Sequence, residues 1–287
     1  MSLFESDTAV EVVGDHRFAA TVTDRWNGLA GRPLGGYVLA VCLRALREVS
    51  PAPDLFVASA FHLNPVDPGP VEIHTEIARS GHRTATGEAR LYQNGAEALR
   101  AVASFTDLSL STGQSLITAD PPDLPVPECA LDLHDGGPAP SASIADRLEY
   151  RVAESFEQRQ YRERQPLTML WMRLKEGGGD DLLSIPFLVD AAPPAVMEIG
   201  ATGSTTVELT VHVRARPRSA WLACRASTSY ITDGYHEEDF EIWDEEGQLV
   251  AQSRQLARLP KTDTLHYQRQ RRLSESGSIG SLRGETR

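Results

Sequence analysis

The stretch "GGYVLAVCLRALREVSPAPDLFVASAFHL", residues 35–63, changes period part-way along, and the fold follows from that change. Val38, Val41, Cys42, Ala45, Leu46 and Val49 recur at three- and four-residue intervals. That spacing predicts an amphipathic helix of about four turns. Ser50-Pro51 ends it, because the residue before a proline is biased away from helical geometry. "LFVASAFHL" then reads as a strand, and three strand-like runs follow: "PVEIHTEIARS", "RTATGEARLYQ" and "EALRAVASF". Glu72, His74 and Glu76 alternate with Val71, Ile73, Thr75 and Ile77, the pattern of a strand with one wet face. Asn94-Gly95 separates the last two runs and is a strong hairpin signal.

The same succession returns later. A helix is expected over "DDLLSIPFLVDAAPPAVM". Strand-like runs follow at "STTVELTVHVRA", "AWLACRASTSYI", "HEEDFEIWD" and, after a turn at Glu246-Gly247, "QLVAQSRQLARL". "FHL" at 61–63 lies 150 residues before "VHV" at 211–213, and Gly95 lies 152 before Gly247. Similar offsets with the same element order point to a duplication. Residue similarity is weak, so the order carries the claim.

A helix followed by antiparallel strands buries its apolar stripe when the sheet wraps around it. Two such units remove an exposed edge from each by pairing their sheets edge to edge. The expected fold class is therefore α+β, a double hot dog: two repeats, each an antiparallel sheet wrapped around a central helix. The repeats are expected at 12–108 and 146–260. Residues 109–145, rich in Pro, Ser, Gly and Asp, read as a linker. Residues 261–287 lack apolar anchors and read as a disordered tail.

Composition narrows the function classes. A net charge of −12 argues against a general nucleic-acid binder. No run approaches the roughly 20 apolar residues of a membrane span, and the N-terminus has no apolar signal core. A soluble cytoplasmic protein without a membrane partner is the expectation. The cysteines, at 42, 129 and 224, are odd in number and far apart, so no disulfide framework is expected. There is no G-x-S-x-G, G-x-G-x-x-G, Walker loop or H-E-x-x-H, and the histidines lack metal-ligand spacing. No metal or cofactor is expected. "HEEDF" at 236–240 lacks the second histidine, and its acids suit a solvated strand end. His62 and His212 stand at matching strand positions and read as structural imidazoles. An activated ester can still be hydrolysed without a side-chain nucleophile, given a positioned water, a base and donors for the oxyanion.

One carboxylate is out of place. "FLVDAAPPAV", residues 187–196, sets Asp190 among apolar residues, where an ionised acid is costly unless paired. "DRWNGLAGRPLGGYVLAV", "NPVDPGPVEIHTEIARSGHRTAT", "FLVDAAPP" and "DEEGQLVAQSRQLARL" together resemble acyl-CoA thioesterases of the TesB type (type II), in the thioesterase-like double hot-dog superfamily. The resemblance spans residues 15 to 260, interrupted by the linker. It implies hydrolysis of an acyl-CoA and a place in fatty-acid metabolism. It also implies an Asp, a Thr or Ser, and a Gln from the second repeat around the attacking water. Asp190, Thr206 and Gln255 occupy those places, with Thr205 competing for the hydroxyl.

Backbone N–H groups near Gly35-Gly36 are candidates for the oxyanion, although Gly36 serves equally well as a point of close helix–sheet approach. Arg79 and Arg83, flanking "SGH", are candidates for the CoA phosphates. Two other readings stand beside hydrolysis. One is an acyl-CoA hydratase or dehydratase on the same fold, disfavoured because no histidine is evident beside either helix start. The other is a non-catalytic acyl-CoA-binding relative. A homo-oligomer is expected by analogy.

Overall fold

In the computed structural model, which describes residues 1–135, 143–161, 165–177, 179, 181–261 and 265, the change of period falls where a helix gives way to a sheet. A short helix α1 (Leu3–Asp7) starts on a capping box between Ser2 and Glu5. It precedes strands β1 (Glu11–Gly14) and β2 (Arg17–Val22) and the long helix α2 (Gly35–Val49). The four predicted strands follow as β3 (Asp54–His62), β4 (Gly69–Ser80), β5 (Thr84–Gln93) and β6 (Ala96–Thr106). Asn94 and Gly95 both take positive φ, 53° and 79°, as a two-residue hairpin turn requires.

The second half opens with β7 (Leu131–Asp132), β8 (Leu148–Val152), α3 (Phe156–Tyr161) and β9 (Leu167–Leu174). Then come α4 (Ile185–Ala191), β10 (Thr205–Val213), β11 (Leu222–Ser227), β12 (Ile231–Thr232), β13 (Tyr235–Asp244) and β14 (Leu249–Arg258). Among the described residues the strands form one antiparallel sheet, ordered β1-β2-β4-β5-β6-β3-β10-β14-β13-β11-β9-β8-β7, with β12 on β13. From the centre outward, β3-β6-β5-β4-β2 on one side answers β10-β14-β13-β11-β9 on the other. The two halves meet along β3 and β10, from Val57↔His212 to Phe61↔Glu208. This is a double hot dog.

Three local readings change. Helix α2 is buried on all sides from Gly36 to Leu46, not along a single stripe. The sheet wraps one side of it, and α4 closes the other. The helix expected over 180–197 is broken into a 3-10 turn at Leu182–Ser184, α4, and a second 3-10 turn at Ala195–Ile199. Pro193 and Pro194 stand in the break, and Ala192 is already extended (ψ 143°). Residues 182–199 also form the one stretch among the described residues with the length and hydropathy of a membrane span, and 72% of it is buried inside the fold.

Finally, His62 ends β3 while His212 stands one place short of the end of β10. A one-residue offset reverses the face. His62 therefore points inward and half-buried, and His212 outward and exposed, so the two do not match.

The proline-rich segment after β6 lies, in its described part, against the outer face of the second half. Trp171 Nε1 donates to the Pro125 carbonyl at 2.7 Å, and Arg225 donates to that of Asp120 at 3.1 Å. Ala130 packs with Trp171, Trp221, Ala223 and Trp243 in a small second core. Residues 136–142 fall outside the described residues. So does the expected tail from 261 on, save Lys261 and Leu265.

Candidate active site

Helix α4 places Asp190 half-buried, while its neighbours Phe187, Leu188 and Val189 are fully buried. The acid is held from the other half of the molecule. Gly36 N–H, in the first turn of α2, donates to Asp190 Oδ2 at 2.7 Å. A helix N-terminus carries unpaired donors and a partial positive charge, so a carboxylate is stable there.

Gly36 is required for this contact. A Cβ built on it would lie 2.6 Å from the Pro186 carbonyl oxygen and 2.7 Å from Asp190 Cβ. The close approach it permits is therefore between two helices, not between helix and sheet. Its amide, considered above for an oxyanion, is engaged by Asp190.

Beneath the acid, polar side chains line the inner face of adjacent strands. Thr206 Oγ1 donates to Gln255 Oε1 at 2.8 Å and lies 3.5 Å from Asp190 Oδ1. The first is a good hydrogen bond and the second is at the limit of one. Thr205 is exposed, and Thr206 is the threonine that faces Gln255 and Asp190. A bulge between Thr206 and Glu208 resets the register of β10 against β14, so Thr206 faces inward opposite the buried Ala257.

No hydrogen bond joins Gln255 to Asp190 among the described residues. Its Nε2 donates to Glu238 Oε1 at 2.8 Å, and Glu238 Oε2 accepts from Ala195 N–H at 2.6 Å. Ala195 opens the turn after Pro193-Pro194, so the break in the helix aims that N–H into the site.

Two residues here depart from the sequence expectation. Glu238, expected on a solvated strand end, is 3% exposed. Strand alternation identifies it: His236, Glu238, Phe240 and Ile242 share the buried face of β13. Burial pushes its carboxyl up to about 7, against the opposing pull of the Ala195 and Gln255 donors.

The second is His62, which does stand beside a helix start. A Cβ on Gly35 would lie 2.5 Å from its Cε1 and 2.9 Å from its Nδ1. Its buried Nε2 has no hydrogen-bond partner among the described residues. Burial lowers its pKa although Asp190 and Glu208 pull the other way, which favours a neutral ring.

The arginines are not gathered with these groups. Thr84 pairs with Thr106, which pairs with Asp54, whereas His62 pairs with Leu99. Exposed Arg79 and Arg83 thus lie at the far end of the sheet, roughly 25 Å along the strands. A role in CoA binding would need the ligand to run the length of the sheet.

Cys42 and Cys224 are buried and their thiols are pushed up by desolvation, which leaves them poor nucleophiles. Among the described residues no cluster of His, Cys, Asp and Glu fits a metal ion. The equipment at the site is a partly accessible carboxylate, a hydroxyl and an amide in one hydrogen-bonded group beneath a helix N-terminus. A set of this composition has the groups needed to orient a water and accept its proton.

Known proteins match along nearly the same span. The profile described as acyl-CoA thioesterase N-terminal domain covers residues 22–106, and that described as acyl-CoA thioesterase C-terminal domain covers 120–259. Uncharacterized protein Rv0499 of Mycobacterium tuberculosis is 27% identical over 266 residues, spanning 85% of this chain and 91% of its own length. A Thermobifida fusca structure described as a candidate thioesterase II superposes with a TM-score of 0.79 at 28% identity, covering 91% of this chain and 98% of that one. A hot-dog protein of unknown function from Alicyclobacillus acidocaldarius gives 0.80 at 22% identity, with the same coverage, and shows the fold alone.

Proposed function

This chain belongs to the acyl-CoA thioesterase family, and from that premise we propose that it hydrolyses the thioester of an acyl-CoA to a free acid and CoA, with water as the nucleophile. Asp190 accepts the proton of that water. Thr206 and Gln255 fix its position for attack on the carbonyl carbon. The N-terminal turn of α2, beside His62, is the nearest source of stabilisation for the oxyanion. The acyl chain lies among apolar residues between helix and sheet. The mechanism calls for no metal or cofactor.

One observation carries the reading: Thr206 Oγ1 stands within 2.8 Å of Gln255 and 3.5 Å of Asp190, in side chains drawn from three elements. The test is release of free thiol from a series of acyl-CoAs, short to long, by the wild type, Asp190→Asn and Gln255→Ala. Asp190→Asn is expected to lose on the order of 10²-fold in kcat with folding intact, the scale of a lost general base. Equal rates in all three proteins would reject the site. Raised KM in Arg79→Ala or Arg83→Ala would assign those arginines to CoA.

His62 against Gly35 supports a second reading, hydration or dehydration of an acyl-CoA by a histidine–acid pair. It predicts loss of enoyl-CoA absorbance that His62→Ala abolishes. Binding of acyl-CoA without either reaction would identify a non-catalytic relative.

A further inference from the structure

Glu238 has no part in the mechanism above, yet both its oxygens are committed in a buried position. Oε1 accepts from Gln255 Nε2 and Oε2 from Ala195 N–H. We propose that Glu238 is a positioning residue that locks the side-chain amide of Gln255 in one orientation, and thereby sets the direction of the Thr206 proton. The assignment rests on the hydrolytic reading for its kinetic consequence, but not for its geometry.

An amide can present either its oxygen or its NH2 to a neighbour. An ionised carboxylate is acceptor-only, so it takes the NH2. Gln255 must then turn Oε1 towards Thr206. The single proton of Thr206 is donated to that oxygen at 2.8 Å, and not to Asp190 at 3.5 Å. Asp190 Oδ2 is taken by Gly36, so Oδ1 is the atom left to receive a proton from water.

Were the amide of Gln255 reversed, its NH2 would face Thr206. The Thr206 proton would turn to Asp190, and the base would be occupied. At pH 8, above the value of about 7 to which burial raises it, Glu238 is the acceptor this arrangement needs.

Glu238→Gln makes the reversal explicit. A glutamine there offers one acceptor to two donors, and its own NH2 favours the flipped Gln255. At pH 8 the variant is expected to lose on the order of 10²-fold in kcat, the cost of a small misplacement near the chemistry. KM should change less than about twofold, because no substrate contact is touched. Adding Glu238→Gln to Gln255→Ala should cost nothing further, since the first acts through the second. Additive losses, or a change confined to KM, would overturn the proposal.

A readout without turnover separates it from the hydrolytic reading. In the wild type the Gln255 side-chain amide, identified as the NH2 pair missing from Gln255→Ala, should be protected from exchange with water in NMR spectra. In Glu238→Gln or Glu238→Leu the pair should shift and lose protection. A solvent-like pair in the wild type, or an unchanged one in a folded variant, would overturn the proposal whether or not thiol is released. Protection in the wild type that a variant abolishes, without thiol release from any acyl-CoA, would sink hydrolysis and leave Glu238 as the anchor of Gln255.

Discussion

Asp190 and Glu238 show how differently two acids can be accommodated at the two ends of one chain of polar side chains. Asp190 keeps partial contact with solvent and takes a backbone donor from α2. Glu238 is 3% exposed, and burial dominates its titration. Its carboxyl ionises at 4.5 in the unfolded chain and at about 7 in the folded one. The folded protein therefore binds this proton more tightly. The stability it contributes is fully present below pH 4.5 and is lost as pH rises through 7. The loss is about 3 kcal/mol from the ratio of one pKa unit to 1.36 kcal/mol. Thermal melts should show Tm falling across that window in the wild type and a flatter profile in Glu238→Gln.

The acid–hydroxyl–amide trio could be picked out from family resemblance because those residue types stand at recognisable places. Gly36 is also legible as a special position, but its bond to Asp190 is not, since a main-chain N–H is carried by every residue but proline. Glu238 was hidden for a different reason. Charge dominated the reading of "HEEDF", although the period of two put Glu238 in line with Phe240 and Ile242.

At the scale of elements, the shortness of α4 matters most. A continuous helix through residue 197 would have kept the Ala195 N–H in its own ladder; Pro193 and Pro194 release it to Glu238. Helices α2 and α4 then meet with no side chain between them at Gly36. Gly36→Ala should drive them apart and cost roughly 1–3 kcal/mol of stability, read as a lowered denaturation midpoint together with slower thiol release.

A second tie joins the same elements. Buried Arg44 of α2 pairs with buried Asp181, just ahead of α4, and also donates to Thr8 at 2.9 Å. Arg44→Met alone should destabilise by up to about 3 kcal/mol, because it leaves the Asp181 carboxylate with only the longer pair to Arg47 at 3.8 Å. Arg44→Met with Asp181→Leu should recover most of that loss in the same denaturation experiment.

For the whole molecule, element order was enough to reach a double hot dog. The strands that precede each helix, β2 and β9, were not foreseen. "RFAATV" is short, and "LTMLWMRL" has no clear alternation because β9 is buried on both faces for part of its length. The proline-rich connection reads as a linker because its Pro, Ser, Gly and Asp carry no helix or strand period. Its contacts are made by its own backbone carbonyls, which accept from Trp171 and Arg225, and by Ala130 and Leu124 against tryptophans, none of which leaves a pattern. Trp171→Phe removes the donor to Pro125, so proteolysis within residues 112–130 should quicken while secondary structure is retained.

The seam between β3 and β10 has two ends, and they are furnished differently. One carries His62 and Thr206. At the other, Asp54 is closed off by Arg216 and by Leu108 N–H at 2.9 Å. Two separate copies of a single module would be obliged to build the same seat twice. Joined in one polypeptide, each terminus of the join is free to specialise, one for the polar cluster around Thr206 and its mirror for holding the halves shut, so a substitution at either can be selected without altering the other.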